Sequence, residues 1–490
     1  MRFLILLLAG AASVLAYAPF GQLWLMPLSW GVLYLALRDE AVGPRRAFML
    51  GWAWGSGALF AGLCWLVVAL NRFGGLSAPL SVFLILLFCV ALALHPALLS
   101  ALFARLRPAG WLGRAGVAAA CWTLSELLRG QIFPAFPWLA IGYTQTPPSP
   151  LAGWAAVLGV YGVGALLALS TALAVEVWKT PSARRHAAVL ALLPWLTGAG
   201  LRQVSWSHPE GAPVSVALIQ TNVAQDQKWR ADTLLAQLEL NAELLRRNPA
   251  RIMVMPESSL PMFEQSLPEG YLDMLTDQAR AHGGDAILGV FTTDAAGGVY
   301  NSVISRGVSA PQQYSKNHLV PFGEFQPWGF GWFFRLASIP MANQTPGGDH
   351  QPLLDLGGQK VAMNICYEDV FGEELRRALP AATLMINVSN LAWYGDSHAQ
   401  PQHLQMSRMR ALESGRPQLR STNTGMTAVV QPDGSVSDVL PAFTQGAIRT
   451  SVQGYQGVTP FVALGDWPTW LFALGVPAGA LLYRRRRRKA

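Results

Sequence analysis

Val361-Ala-Met-Asn-Ile-Cys366-Tyr367-Glu368-Asp369-Val-Phe371 is an apolar run that stops on a cysteine and turns abruptly acidic. Its apolar half has the composition of a buried strand, and open α/β sheets carry their reactive groups at the carboxyl ends of such strands. After the cysteine come Glu368, Asp369, Glu373 and Glu374, then Arg376 and Arg377, the charge order of a helix read from its N-terminus. The predicted unit is therefore strand, cysteine, helix. A thiol just ahead of a helix N-terminus is drawn toward the thiolate and becomes a better nucleophile, whereas a plain buried cysteine is inert. This segment alone leaves both readings open.

The surroundings extend the strand and helix pattern. Val214–Gln220, Arg251–Met255, Ala286–Phe291, Val299–Ser305, Lys360–Ile365 and Thr383–Val388 read as strands, several of them β-branched runs closed by Asn, Gly or Pro. Helical periodicity fits Asp232–Arg247, Leu267–His282, Gly372–Ala378 and His403–Ser414. Such alternation predicts a layered α/β domain with a mostly buried sheet, over residues 202–466. Of four cysteines, Cys64, Cys89 and Cys121 fall in apolar runs; Cys366 alone lies in this domain and has no disulfide partner there.

Outside residues 202–466 the chain is apolar. Overall it is 490 residues long, 52% hydrophobic and only 13% charged, where a soluble protein of this size carries about 25% charged residues. Runs near Phe3–Ala18, Leu23–Leu37, Phe48–Leu70, Leu80–Phe103, Trp111–Leu128, Leu151–Val177, Ala187–Leu201 and Trp467–Tyr483 predict membrane helices, two or three of them short. The expected division is a membrane domain of about seven helices at 1–201, the α/β domain at 202–466, and a last helix with a basic tail at 467–490. Every second short loop is basic: Arg38, Arg45 and Arg46; Arg105, Arg107 and Arg114; Lys179, Arg184 and Arg185; and the Arg484–Lys489 tail. Lys and Arg near span ends stay cytoplasmic, which puts the α/β domain outside. Arg2, the first apolar run and Ala16-Tyr17-Ala18 also fit a cleaved signal peptide; removal would leave seven helices and the same sidedness. The net charge is +8 and the tail supplies six of those charges, so a nucleic-acid-binding surface is not predicted.

Two further segments could carry chemistry. Met253-Val-Met-Pro256-Glu257 is a strand that proline ends, leaving Glu257 to open a loop at a strand's carboxyl end. Tyr314-Ser-Lys316-Asn-His318-Leu-Val-Pro321-Phe-Gly323-Glu324 places a cation ahead of an apolar turn. By composition alone each is an ordinary loop acid or surface lysine. Together, Pro256-Glu257, Lys316-x-x-Leu-Val-Pro-Phe-Gly-Glu324 and Asn-Ile-Cys366-Tyr367-Glu368 resemble the Glu–Lys–Cys triad of the nitrilase superfamily, whose members cleave or form carbon–nitrogen bonds. With the membrane spans, the whole chain is similar to the membrane-embedded branch of that superfamily.

The resemblance implies an αββα sandwich joined to a multi-pass helical membrane domain in the bacterial inner membrane, with the sandwich on the periplasmic side. It also implies a two-step acyl transfer. A membrane phospholipid would donate its acyl chain to Cys366 as a thioester, and the N-terminal amine of a diacylglyceryl-cysteine lipoprotein would receive it. Glu257 would be the general base and Lys316 the oxyanion stabiliser. Glu324 would orient Lys316 and the amine, Tyr367 and Glu368 would support the nucleophile, and Trp229 matches a functionally important tryptophan of the family. No cofactor and no metal are expected; His398 and His403 do not share a helical face. The aromatic run Trp328–Phe334 suits either core or an interfacial lid, and Trp393 and Tyr394 are candidates for the same pocket. Glu126 and Arg129, three apart near a span end, suggest an interfacial ion pair. A membrane-anchored amidase would use the same triad on water. A transporter would need ionisable groups deep in several spans, which these runs nearly lack.

Overall fold

Among the described residues, twelve strands form two sheets of six. They are β1 (Ser207–Gln220), β2 (Ile252–Val254), β3 (Asp285–Thr293), β4 (Val299–Gly307), β5 (Gln312–Ser315), β6 (Leu354–Leu356), β7 (Gln359–Ile365), β8 (Leu384–Ser389), β9 (Gln418–Thr422), β10 (Ala428–Val430), β11 (Val436–Val439) and β12 (Gly446–Gly457). The orders are β12-β1-β2-β3-β4-β5 and β11-β10-β9-β8-β7-β6. In each sheet the three neighbours β1-β2-β3 or β7-β8-β9 run parallel, and the flanking pairs are antiparallel. The structure, a computed structural model, describes residues 1–132, 135–329, 331 and 343–489, without the side chains of 487–489.

Side chains on alternate strand positions separate into two cores, as the two-residue period of a strand requires. Val216, Leu218, Ile252, Val254 and Ile287 of one sheet pack against Val361, Met363, Ile365, Leu384, Ile386 and Leu419 of the other. The opposite face of the first sheet, through Ala217, Ile219, Met253, Ala286 and Leu288, is covered by Leu238 and Leu245 of helix Ala231–Arg247 and Leu275 and Ala279 of helix Tyr271–Ala281. Helix Ala399–Ser414 lays Leu404 and Ala411 on Ala428 and Val430 of the second sheet. These layers are α, β, β, α. The register puts the carboxyl ends of β2, β7 and β8 where loops can converge.

One expected element is different. The helix predicted after Cys366 is a 3-10 turn, Cys366–Val370, followed by a four-residue helix, Gly372–Leu375. So short a helix has no appreciable dipole to offer the thiol, because the effect needs several aligned peptides.

The chain separates into two compact units: Trp206–Val458 with the short segment Val67–Ala78, and Met1–Leu66, Pro79–Ser205 and Thr459–Ala490. In the second, the predicted apolar runs are largely helical, some of them broken into two elements, with helices that include Arg2–Ala12, Leu25–Arg38, Pro44–Leu63, Trp111–Gln131 and Trp467–Lys489. By length and apolar composition, Ala78–Leu106 and Pro150–Lys179 can each cross a bilayer, and Pro44–Leu63 with Leu66–Phe73 is a further candidate bent by 60°. Helices Arg2–Ala12 and Pro44–Leu63 approach backbone to backbone, since a Cβ on Gly10 would lie 2.0 Å from the Trp54 carbonyl oxygen and one on Gly57 2.0 Å from that of Leu7. Small residues permit this close packing where lipid offers no hydrophobic driving force. The expected pairing of Glu126 with Arg129 is not what holds them: Glu126 accepts the Ile141 N–H, and Arg129 donates to the carbonyls of Phe136 and Trp138. Backbone groups of Phe136, Trp138 and Ile141 take both charges.

Candidate active site

Cys366 ends β7 in a left-handed conformation, φ +55°, which is costly for a residue with a Cβ and is tolerated where surroundings fix it. Glu368 supplies much of that fixing. One carboxylate oxygen accepts N–H groups of Asn317 (2.6 Å) and His318 (3.1 Å), and the other accepts Ile365 N–H (2.6 Å) and the Tyr314 hydroxyl (3.0 Å). A single buried acid thus staples the Cys366 turn to the loop that carries Lys316. His318 stacks on Phe371 with ring centroids 3.6 Å apart, and Tyr367 meets both edge-on.

Glu257 follows β2, on a loop whose next residue, Ser258, is also left-handed at φ +48°. Its Oε1 accepts from Asn301 Nδ2 at 2.7 Å and its Oε2 from the Asn390 N–H at 2.7 Å, so donors from β4 and from the loop after β8 orient it. Lys316 directly follows the edge strand β5 and is fully buried. Its Nζ lies 2.6 Å from Glu324 Oε1 and 3.5 Å from Glu257 Oε1. The other oxygen of Glu324 accepts Val320 N–H at 2.8 Å, closing the turn that follows Lys316.

Burial by itself would lower the Lys316 ammonium, but Glu324, Glu257 and Cys366 outweigh it and hold the group well above the usual lysine value. Burial raises the Glu324 carboxyl, Lys316 opposes that, and the charge of Glu257 adds to it. The thiol of Cys366 is pushed up by burial and by Glu257, with Lys316 pulling the other way. Burial and the neighbouring glutamate thus hold the cysteine as a thiol, whereas a helix-activated thiolate is one of the two readings that the segment alone leaves open. A base must take its proton during reaction.

Of the residues singled out from sequence, Glu257, Lys316, Glu324, Cys366 and Glu368 share this site. Trp229 is 39% exposed and leans on Phe291, ring centroids 5.6 Å apart. Trp393 meets Phe73 edge-on at 5.5 Å, and the Tyr394 hydroxyl is raised by burial and by the charge of Cys366. Trp328 is described and almost fully exposed; the rest of the aromatic run, Phe330 and Trp332–Phe334, lies outside the described residues.

Sequence reading missed two features. Behind Cys366, the carboxylate of Asp369 accepts from Gln418 (3.0 Å), Arg420 (2.7 Å) and Ser407, and Arg420 also reaches His403 Nδ1 (3.1 Å). Beside Glu257, a second buried lysine, Lys228, donates to the Glu257 carbonyl at 3.0 Å. Its sequence signal was only its place before Trp229.

The sandwich, with a cysteine, a lysine and acids at its converging strand ends, defines the carbon–nitrogen hydrolase class, and residues 215–457 match the family profile described as carbon-nitrogen hydrolase. Residues 9–173 match the profile described as apolipoprotein N-acyltransferase N-terminal domain. Proteins named apolipoprotein N-acyltransferase are similar along their whole length. That of Nitrosomonas europaea is 43% identical over 98% of this chain and 97% of its own, that of Chromobacterium violaceum 42% over 100% and 96%, and that of Ralstonia nicotianae 41% over 98% and 93%. The chain belongs to the apolipoprotein N-acyltransferase family.

Proposed function

We propose that the protein transfers a fatty acyl chain from a membrane phospholipid to the N-terminal amine of diacylglyceryl-cysteine lipoproteins, at the periplasmic face of the bacterial inner membrane. The observation that carries the chemistry is the buried Lys316 ammonium between Glu257 and Glu324, with all three charges acting on the Cys366 thiol.

In the first half, Glu257 takes the thiol proton as sulfur attacks the ester carbonyl of the donor. Lys316 stabilises the oxyanion, whose charge develops in a buried site where a fixed cation is most effective. The carbonyl–oxygen bond of the ester breaks, the proton passes from Glu257 to the departing glycerol oxygen, and a lysophospholipid leaves a thioester on Cys366. In the second half the neutral amine attacks the thioester, Glu257 accepts the amine proton, and the sulfur departs and recovers a proton. Glu324 keeps Lys316 aimed at the oxyanion, and Glu368 keeps the Cys366 turn and the lysine loop together.

Intact mass of the purified protein after exposure to phospholipid tests this reading. A fatty acyl adduct should appear on Cys366, persist in water, and discharge when a diacylglyceryl-cysteine peptide with a free amine is added. Cys366→Ala should show neither adduct nor transfer. Rapid release of free fatty acid with no acylated peptide would instead support a membrane-anchored hydrolase.

A further inference from the structure

Lys228 is 3% exposed and among the described residues its ammonium makes one hydrogen bond, to the backbone carbonyl of Glu257. An ammonium has three donors and is strongly hydrated, so burying it against a single carbonyl is expensive unless charge nearby compensates. The charges that act on it are that of Glu257 and, once it ionises, that of Cys366. Its backbone is held by the turn Ala224–Lys228, in which the N–H groups of Gln227 and Lys228 both reach the Ala224 carbonyl. Gln225, in the same turn, accepts from Asn390 Nδ2 at 2.8 Å, and the Asn390 N–H is the donor to Glu257 Oε2. One turn therefore grips the base at both ends, its carbonyl through Lys228 and its carboxylate through Gln225 and Asn390.

Charge balance gives this contact a purpose. Glu257 and Glu324 face one cation, Lys316, an arrangement with net charge of minus one beside a thiol that must lose its proton. Glu368 does not alter that deficit, because its charge is spent on three backbone N–H groups and Tyr314. We propose that Lys228 is a positioning residue of the acyl-transfer centre: a second ammonium that fixes the Glu257 peptide and supplies the countercharge under which Cys366 reacts with both glutamates ionised. The inference rests on Cys366 being the nucleophile.

Burial lowers the Lys228 ammonium to about 8, against the pull of Glu257 and Cys366. Its charge, and the support it gives, should fade as pH rises through that value. The test uses the full-length protein in nanodiscs of phosphatidylethanolamine, with the rate of acyl loading on Cys366 read by intact mass across pH. Lys228→Gln retains a donor for the Glu257 carbonyl but not the charge; it and Lys228→Met should load at least about tenfold more slowly, the scale of one pKa unit of lost countercharge. Lys228→Arg, charged throughout, should keep loading within a few-fold and lose the alkaline fall of the wild type. Lys228→Gln loading at the wild-type rate, or Lys228→Arg falling at the same pH as the wild type, would overturn the proposal. Should the neutral variants fail to fold, a wild-type rate that stays flat through that pH range also overturns it. Absence of any wild-type adduct would instead sink the reading of Cys366 as nucleophile, a different result from a loaded wild type with indifferent variants.

Discussion

A buried charge is informative because it is costly, and three residues here can be read that way. Lys316 sits between two carboxylates, so Lys316→Ala leaves like charges facing each other without a partner. Breaking a buried pair from one side costs about 3 to 5 kcal/mol, and thermal unfolding should show that loss along with the loss of turnover. Adding Glu324→Gln to Lys316→Met should recover much of the stability and none of the activity. Glu257→Gln keeps the shape of the base but cannot take a proton, and loading should slow roughly a hundredfold or more. Lys228 should behave in the opposite sense for stability. Its folded value near 8 lies below the ordinary 10.5. The charged lysine therefore opposes folding below about pH 8, and this penalty is relieved between the two values, where the unfolded chain alone holds the proton. Lys228→Met should raise the melting temperature near neutral pH, and stability in the wild type, but not in this variant, should gain from that rise in pH. A melting temperature well below wild type would contradict the assignment.

At the level of elements, legibility followed chemistry. β1, β2, β3, β4, β7 and β8 announce themselves because their central positions are apolar, packed between layers, and closed by turn residues. β9 reads Gln418-Leu-Arg-Ser-Thr422 and is nonetheless completely buried; its arginine is neutralised by Asp369, a partner far away in sequence. Strands β5, β6, β10 and β11 have three or four residues each, too few for any period to show. The triad segments were legible as strand ends, but their meeting depends on Glu368 and Asn390, whose partners only the fold defines. The element most at risk is the Cys366 turn. Glu368→Ala would strip acceptors from Ile365, Asn317 and His318 at once, and with about 1 to 3 kcal/mol for each buried donor left unpaired, the loss should reach about 3 kcal/mol or more. Unfolding by denaturant reads it directly. A small loss would mean that water replaces the carboxylate and that the turn does not depend on it.

For the whole molecule, the distribution of charge in the helical unit bears on sidedness. Glu176, fully buried, accepts from Arg38, Arg114, Tyr34 and Thr180, and Arg107 donates to the carbonyls of Asp39 and Val42. Basic residues from two separate loops thus gather at one end of that unit, around an acid from a third segment. Helix Pro44–Leu63 starts at this end, beside Arg45 and Arg46, and leads to Val67–Ala78, which belongs to the sandwich: Phe73 meets Trp393 there, and Arg72 lies 3.5 Å from Asp226. Basic loops gathered at one end of the helical unit set its direction once that end is cytoplasmic. A reporter active only outside the cytoplasm should therefore work when fused near Ser309 and stay silent after Lys489. Glu176→Ala should lower folded yield, since it strands the buried Arg114 guanidinium and the half-buried one of Arg38, without changing which fusion reports. The Gly10 and Gly57 contacts tie the first helix into the same unit, so Gly57→Val should loosen it, and mass analysis of the mature protein should find Arg2–Ala18 still attached. A cytoplasmic signal near Ser309 would refute the orientation, and the proposed lipoprotein acceptor with it, because that acceptor would then lie across the membrane from Cys366.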